Sequence, residues 1–353
     1  MLSFLNVSKN CTHFELIQLV HMTKEKTDKR QSIAINHVLD KSYLDLLHPV
    51  DFEPIFIMGD HRSGTTLLYK TLVATECFNY VRAYHIIKYD ELLSNYVNHI
   101  ENQVRQKLEE LFKSLSISDR VFDQVAVTPD LPEEYGFILK NAGYESHLTP
   151  DNLPLFTELC RKIQFISNSE KPLLLKNPWC FPHFAYIKSV FPKAKYIFIH
   201  RHPIHVINSK LKATRSILAD WNAYTALLST QYTQIFENAV QRFVYRLLYS
   251  TYFDLGLRRV TQQAVESTTY FLDNVDSLPI ADYVSVRYED LCNEPEATIL
   301  KILGFLGMKP RGTLAYDTLI EPRPTKLLPE VQGKYEQIHQ KLQPYFAYHG
   351  YDT

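Results

Sequence analysis

The sequence predicts an α/β protein of three layers, with a central, mainly parallel sheet flanked by helices and carrying helical insertions. Three observations predict it. Ile55-Phe56-Ile57-Met58 is a short continuous apolar run of the kind that forms a strand covered on both faces. Two further runs, Pro172 to Lys176 (PLLLK) and Tyr196 to His200 (YIFIH), follow with a helical segment around Phe184 to Val190 between them. The first run also leads straight into a polar turn bracketed by Gly59 and Gly64 and then into a helix. A chain of 353 residues suits one elaborated domain: 1–50 as an N-terminal helical extension, then 51–353 as the α/β domain, with helical insertions at about 90–170 and 219–263.

In chain order, the turn from Gly59 to Thr66 has the chemistry of a phosphate cradle. Its glycines let backbone amides approach an anion, Ser63, Thr65 and Thr66 supply hydroxyls, and the following helix offers its positive end. A nucleoside triphosphate loop requires Lys directly after the last Gly. Here Gly64 is followed by Thr65 and Thr66, and the cation, Arg62, comes before it. From Asp90 to Ser116 the residues Leu93, Tyr96, Val97, Ile100, Val104, Leu108, Leu111 and Leu115 recur every three or four positions, which predicts one long helix covering the sheet or capping a pocket. In PDLPEEYGF, Pro129 to Phe137, Glu133 and Glu134 suit either a helix N-terminus or an active-site acid.

Arg201 closes the third apolar run and Ser209 lies eight residues later, a planar fork of donors and a helix-borne hydroxyl able to hold a phosphate dianion. Residues 219–263 read as helical and rich in Tyr, Phe and Leu. Arg287 to Leu291 (RYEDL) runs through Glu294-Pro295 into an apolar helix ending near Leu306, and Pro310 to Pro329 is a proline-rich loop carrying Arg323 and Lys326. The string Arg62-Ser63-Gly64-Thr65-Thr66, the Arg201 and Ser209 pair and the RYEDL segment appear in order over roughly residues 50 to 310. Together they resemble the soluble, small-molecule type of sulfotransferase.

That resemblance implies a P-loop-like fold and the donor 3′-phosphoadenosine-5′-phosphosulfate. Arg62, Ser63, Gly64, Thr65 and Thr66 would cradle its 5′-phosphosulfate, Arg201 and Ser209 its 3′-phosphate, Tyr288 would lie near the adenine, and Arg323 would close over the 3′-phosphate. The implied reaction is in-line transfer of a sulfuryl group to a hydroxyl or amine of a small metabolite, leaving adenosine 3′,5′-bisphosphate and requiring no metal. Arg62 is the candidate for the leaving-group contact and Lys176 the second cation. The His that follows this Lys in small-molecule relatives is replaced by Asn177-Pro178-Trp179, and the Glu that protein-tyrosine relatives carry beyond the loop by Tyr84-His85. His85, with an ordinary pKa of about 6.5, is therefore the first candidate base. Glu133 or Glu134 is the second, able to take the proton or to grip a cationic acceptor such as a guanidinium-bearing natural product. His61, beside Arg62, is a candidate for orienting the sulfuryl group.

Composition excludes little. Lys and Arg number 38 against 39 Asp and Glu, so a net charge of -1 gives no global attraction to nucleic acid or polyanionic glycans. No apolar stretch reaches the roughly 20 residues that span a bilayer, and the first residues lack a secretory leader pattern, so the expectation is a cytoplasmic protein without a membrane partner. Five scattered cysteines without CxxC spacing read as reduced structural thiols. Two other readings stay open: a P-loop nucleotide-dependent phosphotransferase, disfavoured by the missing loop Lys and by the lack of a second strand ending in a magnesium-binding Asp, and a noncatalytic nucleotide-binding protein.

Overall fold

The three apolar runs become the middle of a sheet of five parallel strands, β1 (Pro54–Met58), β2 (Asn79–Tyr80), β3 (Leu173–Lys176), β4 (Lys195–His200) and β5 (Tyr283–Arg287), in the order β2-β3-β1-β4-β5. The structure, a computed structural model, describes residues 39–120, 125–311, 314–316, 320 and 326–351. β1 and β3 are buried along their whole length, which is why both read as unbroken apolar sequence. β5 alternates buried and half-buried residues at a sheet edge and β2 has two residues, so neither stands out as an apolar run.

Successive side chains on each strand enter opposite layers. Ile55, Ile57, Leu174, Ile197 and Ile199 pack with α1 (Thr65–Ala74) through Leu68 and Leu72 and with a later helix through Ile299 and Ile302. Phe56, Met58, Leu173, Leu175, Tyr196 and Phe198 fill the other layer, against Phe156, Phe184 and Phe271. The chain leaves β1 for β2 and β3 on one side, then crosses to β4 and β5 on the other. That reversal opens a crevice at the carboxyl end of β1, the usual ligand position in open α/β sheets, and the Gly59–Gly64 turn lies there.

The insertions depart from expectation in one place. After α2 (Ala83–Ile87), the repeat from Asp90 to Ser116 forms α3 (Leu92–Val97) and α4 (Glu101–Ser114) instead of one helix. His99 adopts a left-handed backbone at φ 56°, and Asn98 Nδ2 donates to the Ser94 carbonyl at 2.7 Å, so the first helix stops and a second begins. The apolar spacing survives because Leu92, Leu108 and Phe112 enter the same core. Next come α5 (Gly136–Asn141), α6 (Leu153–Ile166), α7 (Phe184–Val190) and α8 (Pro203–Ala219).

The 219–263 insertion is helical as expected but cut into α9 (Ala223–Leu228), α10 (Thr230–Glu237), α11 (Ala239–Leu248) and the start of α12 (Leu255–Asn274). Asn222, Ser229 and Asn238 each accept from a backbone N–H three residues on, capping and so restarting a helix. α13 (Tyr288–Asn293) and α14 (Pro295–Phe305) follow β5, and α15 (Pro329–Gly333) and α16 (Tyr335–His349) close the fold. Helices α8, α12 and α16 share a core of their own around Ile207, Val260 and Leu342.

Of the expected N-terminal extension, residues 1–38 lie outside the described residues. A 3-10 turn, Lys41–Leu47, follows the buried Asp40, which pairs with the buried Lys162 of α6 at 3.0 Å; Glu158 lies 3.0 Å from the same ammonium. Half of the expected loop from Pro310 to Pro329, Arg323 included, also lies outside the described residues. Cys77, Cys160, Cys180 and Cys292 are free thiols.

Tyr69 ties α1 to the sheet, its hydroxyl donating to the Leu174 carbonyl at 3.1 Å and accepting from the Val81 N–H at 3.0 Å, all inside the core. Tyr69→Phe is expected to cost about 1–3 kcal/mol, the scale of leaving a buried backbone N–H and carbonyl without partners. Urea denaturation measures it, and an unchanged midpoint would mean that the two groups find other partners.

Candidate active site

The turn between β1 and α1 is held from several directions. Gly64 has φ +100°, and a Cβ there would collide with the Tyr288 ring. A Cβ on Gly59 would stand 2.6 Å from the Ile199 carbonyl and from Ser63 Oγ. Arg62 occupies the left-handed region at φ 72°, a strained choice for a residue with a side chain. Its carbonyl accepts from Arg201 Nη1 at 3.1 Å while its Nε donates to Ser209 Oγ at 3.1 Å. The Arg201 guanidinium lies 4.3 Å from the centre of the Tyr288 ring. Arg62, Gly64, Arg201, Ser209 and Tyr288, which sequence reading assigned to one site, therefore converge from the turn, the end of β4, α8 and the start of α13.

Beneath the turn Asp60 is fixed by Lys210 of α8 at 2.6 Å, by Ser267 Oγ of α12 at 3.3 Å and by the His61 N–H at 2.8 Å. Thr65 and Thr66 open α1, whose first turn holds no acidic residue to compete for its amides.

A second group assembles around Lys176. This side chain at the end of β3 has no exposed surface, and a buried ammonium requires partners. Its Nζ pairs with Glu134 Oε1 at 2.7 Å and donates to Thr66 Oγ1 at 3.1 Å. Burial pushes the Glu134 carboxyl up, but Lys176 and His61 outweigh it and hold the group below the usual carboxylate range, so it is ionised at neutral pH. Glu133 is buried and accepts from Arg120 Nη1 at 3.2 Å and from the Tyr224 hydroxyl at 2.7 Å. A short backbone pairing brings both acids here: the Glu133 N–H donates to the Val81 carbonyl and the Ala83 N–H to the Leu131 carbonyl. Each carboxylate is matched by a cation, which removes the basis for expecting these acids to attract a cationic acceptor.

Between the two groups lies a cavity of about 350 Å³. Its polar end is formed by His61, Arg62, Thr65, Thr66 and Glu134; its walls are largely apolar, with Phe137, Trp179, Ile217, Leu228 and Val260. Burial pushes His61 down to about 4, leaving it neutral at pH 7, and its ring meets Trp179 edge-on at 4.8 Å.

His85 does not join this group. The backbone pairing that aims Glu133 and Glu134 at the cavity turns α2 away from it, and His85 lines a separate cavity with Arg82, Arg105 and Glu101. Its Nδ1 accepts from the Arg82 N–H at 3.2 Å, and burial, reinforced by Arg82 and Arg105, depresses its pKa well below the ordinary value. Of the candidate bases, His85 therefore lies outside this cavity, whereas Glu133 and Glu134 line it.

The family model described as Sulfotransferase family matches residues 54–310, most of the chain and all five strands. The chain belongs to the sulfotransferase family. It is 27% identical over 271 residues to omega-hydroxy-beta-dihydromenaquinone-9 sulfotransferase Stf3 of Mycobacterium bovis and, equally, of Mycobacterium tuberculosis. Those matches cover 72% of this chain and 63% of the relative, so the chain spans less than two thirds of the length of these curated relatives. Among solved structures, sulfotransferase STF9 from Mycobacterium avium superposes with TM-score 0.56 at 15% identity, covering 88% of this chain and 79% of that one. Sulfotransferase STF1 from Mycobacterium tuberculosis gives 0.53 at 14% identity, with coverages of 86% and 79%. At such identities the likeness establishes the sulfotransferase fold.

Several site residues escaped the sequence reading. Asp60 and Lys210 adjoin residues already singled out, and an acid within a phosphate-binding turn should have prompted a search for its cation. Trp179 follows the Lys176 strand within the Asn177-Pro178-Trp179 stretch, whereas Arg120 and Tyr224 come from segments with no motif, and nothing in the sequence places the three together.

His61 gives the cavity a pH signature. A His whose folded pKa is depressed to about 4 favours the folded state above its unfolded value of about 6.5, and that contribution is lost as pH falls through this window. His61→Asn is expected to lose less stability than the parent between about pH 6.5 and 4. Parallel urea titrations at a series of pH values test it, and identical slopes would mean that His61 protonates in place.

Proposed function

We propose that the protein transfers the sulfuryl group of 3′-phosphoadenosine-5′-phosphosulfate to a hydroxyl or amine of a small acceptor held in the cavity, with Glu134 as the general base. The observation that carries this reading is the bridge made by Lys176, whose ammonium touches the phosphate turn at Thr66 and the cavity acid Glu134 at once. The residues also fit the donor. Ser63 Oγ is buried with no hydrogen-bond partner among the described residues, inside a turn too tight for a Cβ at Gly59 or Gly64, as a cradle completed by phosphate oxygens requires. Arg201 and Ser209 stand together where the 3′-phosphate would be held, with Tyr288 beside them for the adenine.

When bound, the donor supplies an activated sulfur–oxygen bond whose cleavage releases a bisphosphate anion. The chain's residues do the rest. Glu134, ionised and at the polar end of the cavity, accepts the proton of the attacking hydroxyl. Neutralising Glu134 loosens its grip on Lys176, whose charge then acts on the leaving oxygen from the Thr66 side, together with Arg62. Arg120 and Tyr224 hold Glu133 and through it the Glu133-Glu134 backbone. His61, neutral, remains a hydrogen-bonding group toward the sulfuryl oxygens. The apolar walls support an acceptor with an apolar body and one reacting end. The name of the curated relative, which describes a hydroxyl on a menaquinone, supports the same class.

The first test is thermal stabilisation by adenosine 3′,5′-bisphosphate beside ADP and ATP with magnesium. At about a hundred times its dissociation constant the bisphosphate is expected to add roughly 2.7 kcal/mol. Selective stabilisation by ATP with magnesium would instead favour the phosphotransferase reading. Arg201→Ala is expected to weaken bisphosphate binding by about 2–4 kcal/mol, as loss of a charge-assisted phosphate contact does; unchanged affinity in calorimetry would remove it from the site. Glu134→Gln is expected to cut kcat by roughly 10²-fold to 10⁴-fold while leaving bisphosphate affinity within about threefold. Near-normal turnover would exclude Glu134 as the base.

A further inference from the structure

Helix α11 carries an apolar face that no described residue covers. Val240, Phe243, Val244 and Leu247 recur at positions i, i+3, i+4 and i+7, and no residue of the helix is buried. Tyr252, Phe253 and Leu255 follow, and all seven side chains are between 42% and 82% exposed. Scattered exposed apolar residues are ordinary, but a contiguous set on one helix and its adjoining loop is an interaction surface.

The charges around it are mostly positive. From Glu237 to Arg259 the chain holds Arg242, Arg246, Arg258 and Arg259 against two acids, Glu237 and Asp254, and Asp254 is paired with Lys334. Arg246 donates to the Leu218 carbonyl at 2.6 Å and to that of Ala219, joining α11 to the end of α8. The same α8 lines the cavity through Ala213, Thr214 and Ile217, and Tyr249, directly after α11, lines it as well. The helix that carries the exposed face is therefore bonded to a wall helix of the cavity and followed directly by a cavity-lining residue.

We propose that this face seats the protein on a bilayer surface bearing anionic headgroups, and that the cavity draws from that bilayer an amphiphile with a reacting hydroxyl. The choice of acceptor rests on the sulfuryl-transfer reading; the docking itself does not. An apolar stripe with flanking arginines is the pattern of a helix lying in the headgroup region. A second copy of this chain fits less well, since a two-fold contact through α11 would bring arginines against arginines. Sequence reading expected no membrane partner because no stretch can span a bilayer. Interfacial docking needs none, and among the described residues no helix is long and apolar enough to cross a membrane.

The test is flotation of the full chain with vesicles of phosphatidylcholine alone or mixed with phosphatidylglycerol. The parent protein is expected to partition at least about tenfold more strongly onto the anionic vesicles, and Phe243→Glu combined with Val244→Glu to lose about tenfold or more. The same variant should keep its thermal shift with adenosine 3′,5′-bisphosphate, which separates loss of docking from loss of the fold. Equal partitioning of variant and parent, or no vesicle binding by the parent, overturns the proposal. So does a parent that self-associates through this face, with the variant monomeric and vesicle binding absent from both. Vesicle binding without sulfuryl transfer to any vesicle-borne alcohol would leave the docking standing and sink the acceptor assignment.

Discussion

A single buried ammonium constrains most of this site. Lys176 ends a strand flanked by strands on both sides, so its charge is fixed inside the protein and has to be answered there. Two groups answer it, Thr66 from the first turn of α1 and Glu134 from the segment before α5. A buried ion pair stripped of one member is strongly destabilising. The pairing therefore couples the position of the turn, the end of β3 and the acid-bearing segment: none can shift without exposing an unmatched charge. In the proposed reaction the same coupling would give the chemistry its handle, because a proton arriving on Glu134 would change what Lys176 is free to attract.

The phosphate turn depends on a comparable restraint. Arg62 in a left-handed conformation costs energy of the order of 1–3 kcal/mol and persists only where its surroundings enforce it. Arg201 holds the Arg62 carbonyl, Ser209 holds its Nε, and the Tyr288 ring leaves space at position 64 for glycine alone. The residues that would grip the 3′-phosphate are thus also the residues that shape the cradle for the 5′ side. In the proposed reading the two anion sites would preorganise each other, as binding one nucleotide across both requires.

What the sequence made legible follows from how local each feature is. β1, β3 and β4 were readable because burial on both faces forces unbroken apolar sequence; β5 escaped because an edge strand alternates. The Arg62–Thr66 string and the Arg201 to Ser209 spacing were readable because each lies on one strand-to-helix junction with fixed geometry. The break at His99 was not, since apolar spacing continues unchanged through a turn whose two helices face the same core. The placement of His85 in a separate cavity was not legible for a related reason. Its distance along the chain from the phosphate turn matched a family pattern, but the pairing of residues 81–84 with 129–133 decides which side of the backbone faces the cavity, and that pairing spans almost fifty residues with no sequence signal.

The donor and acceptor halves of the site have different structural origins, and this explains why one could be read and the other could not. Most contacts proposed for the donor come from the turn after β1, the end of β4 or a helix that leaves the sheet directly, positions fixed by strand order. The acceptor walls come from α5, α8, α9 and α12, whose packing depends on the caps at Asn222 and Ser229 and on the bond from Arg246 to the end of α8. Small changes in these helices reshape the cavity without disturbing the phosphate turn. The exposed face of α11 is tied to the same wall, since Arg246 bonds to the end of α8 and Tyr249, directly after α11, lines the cavity.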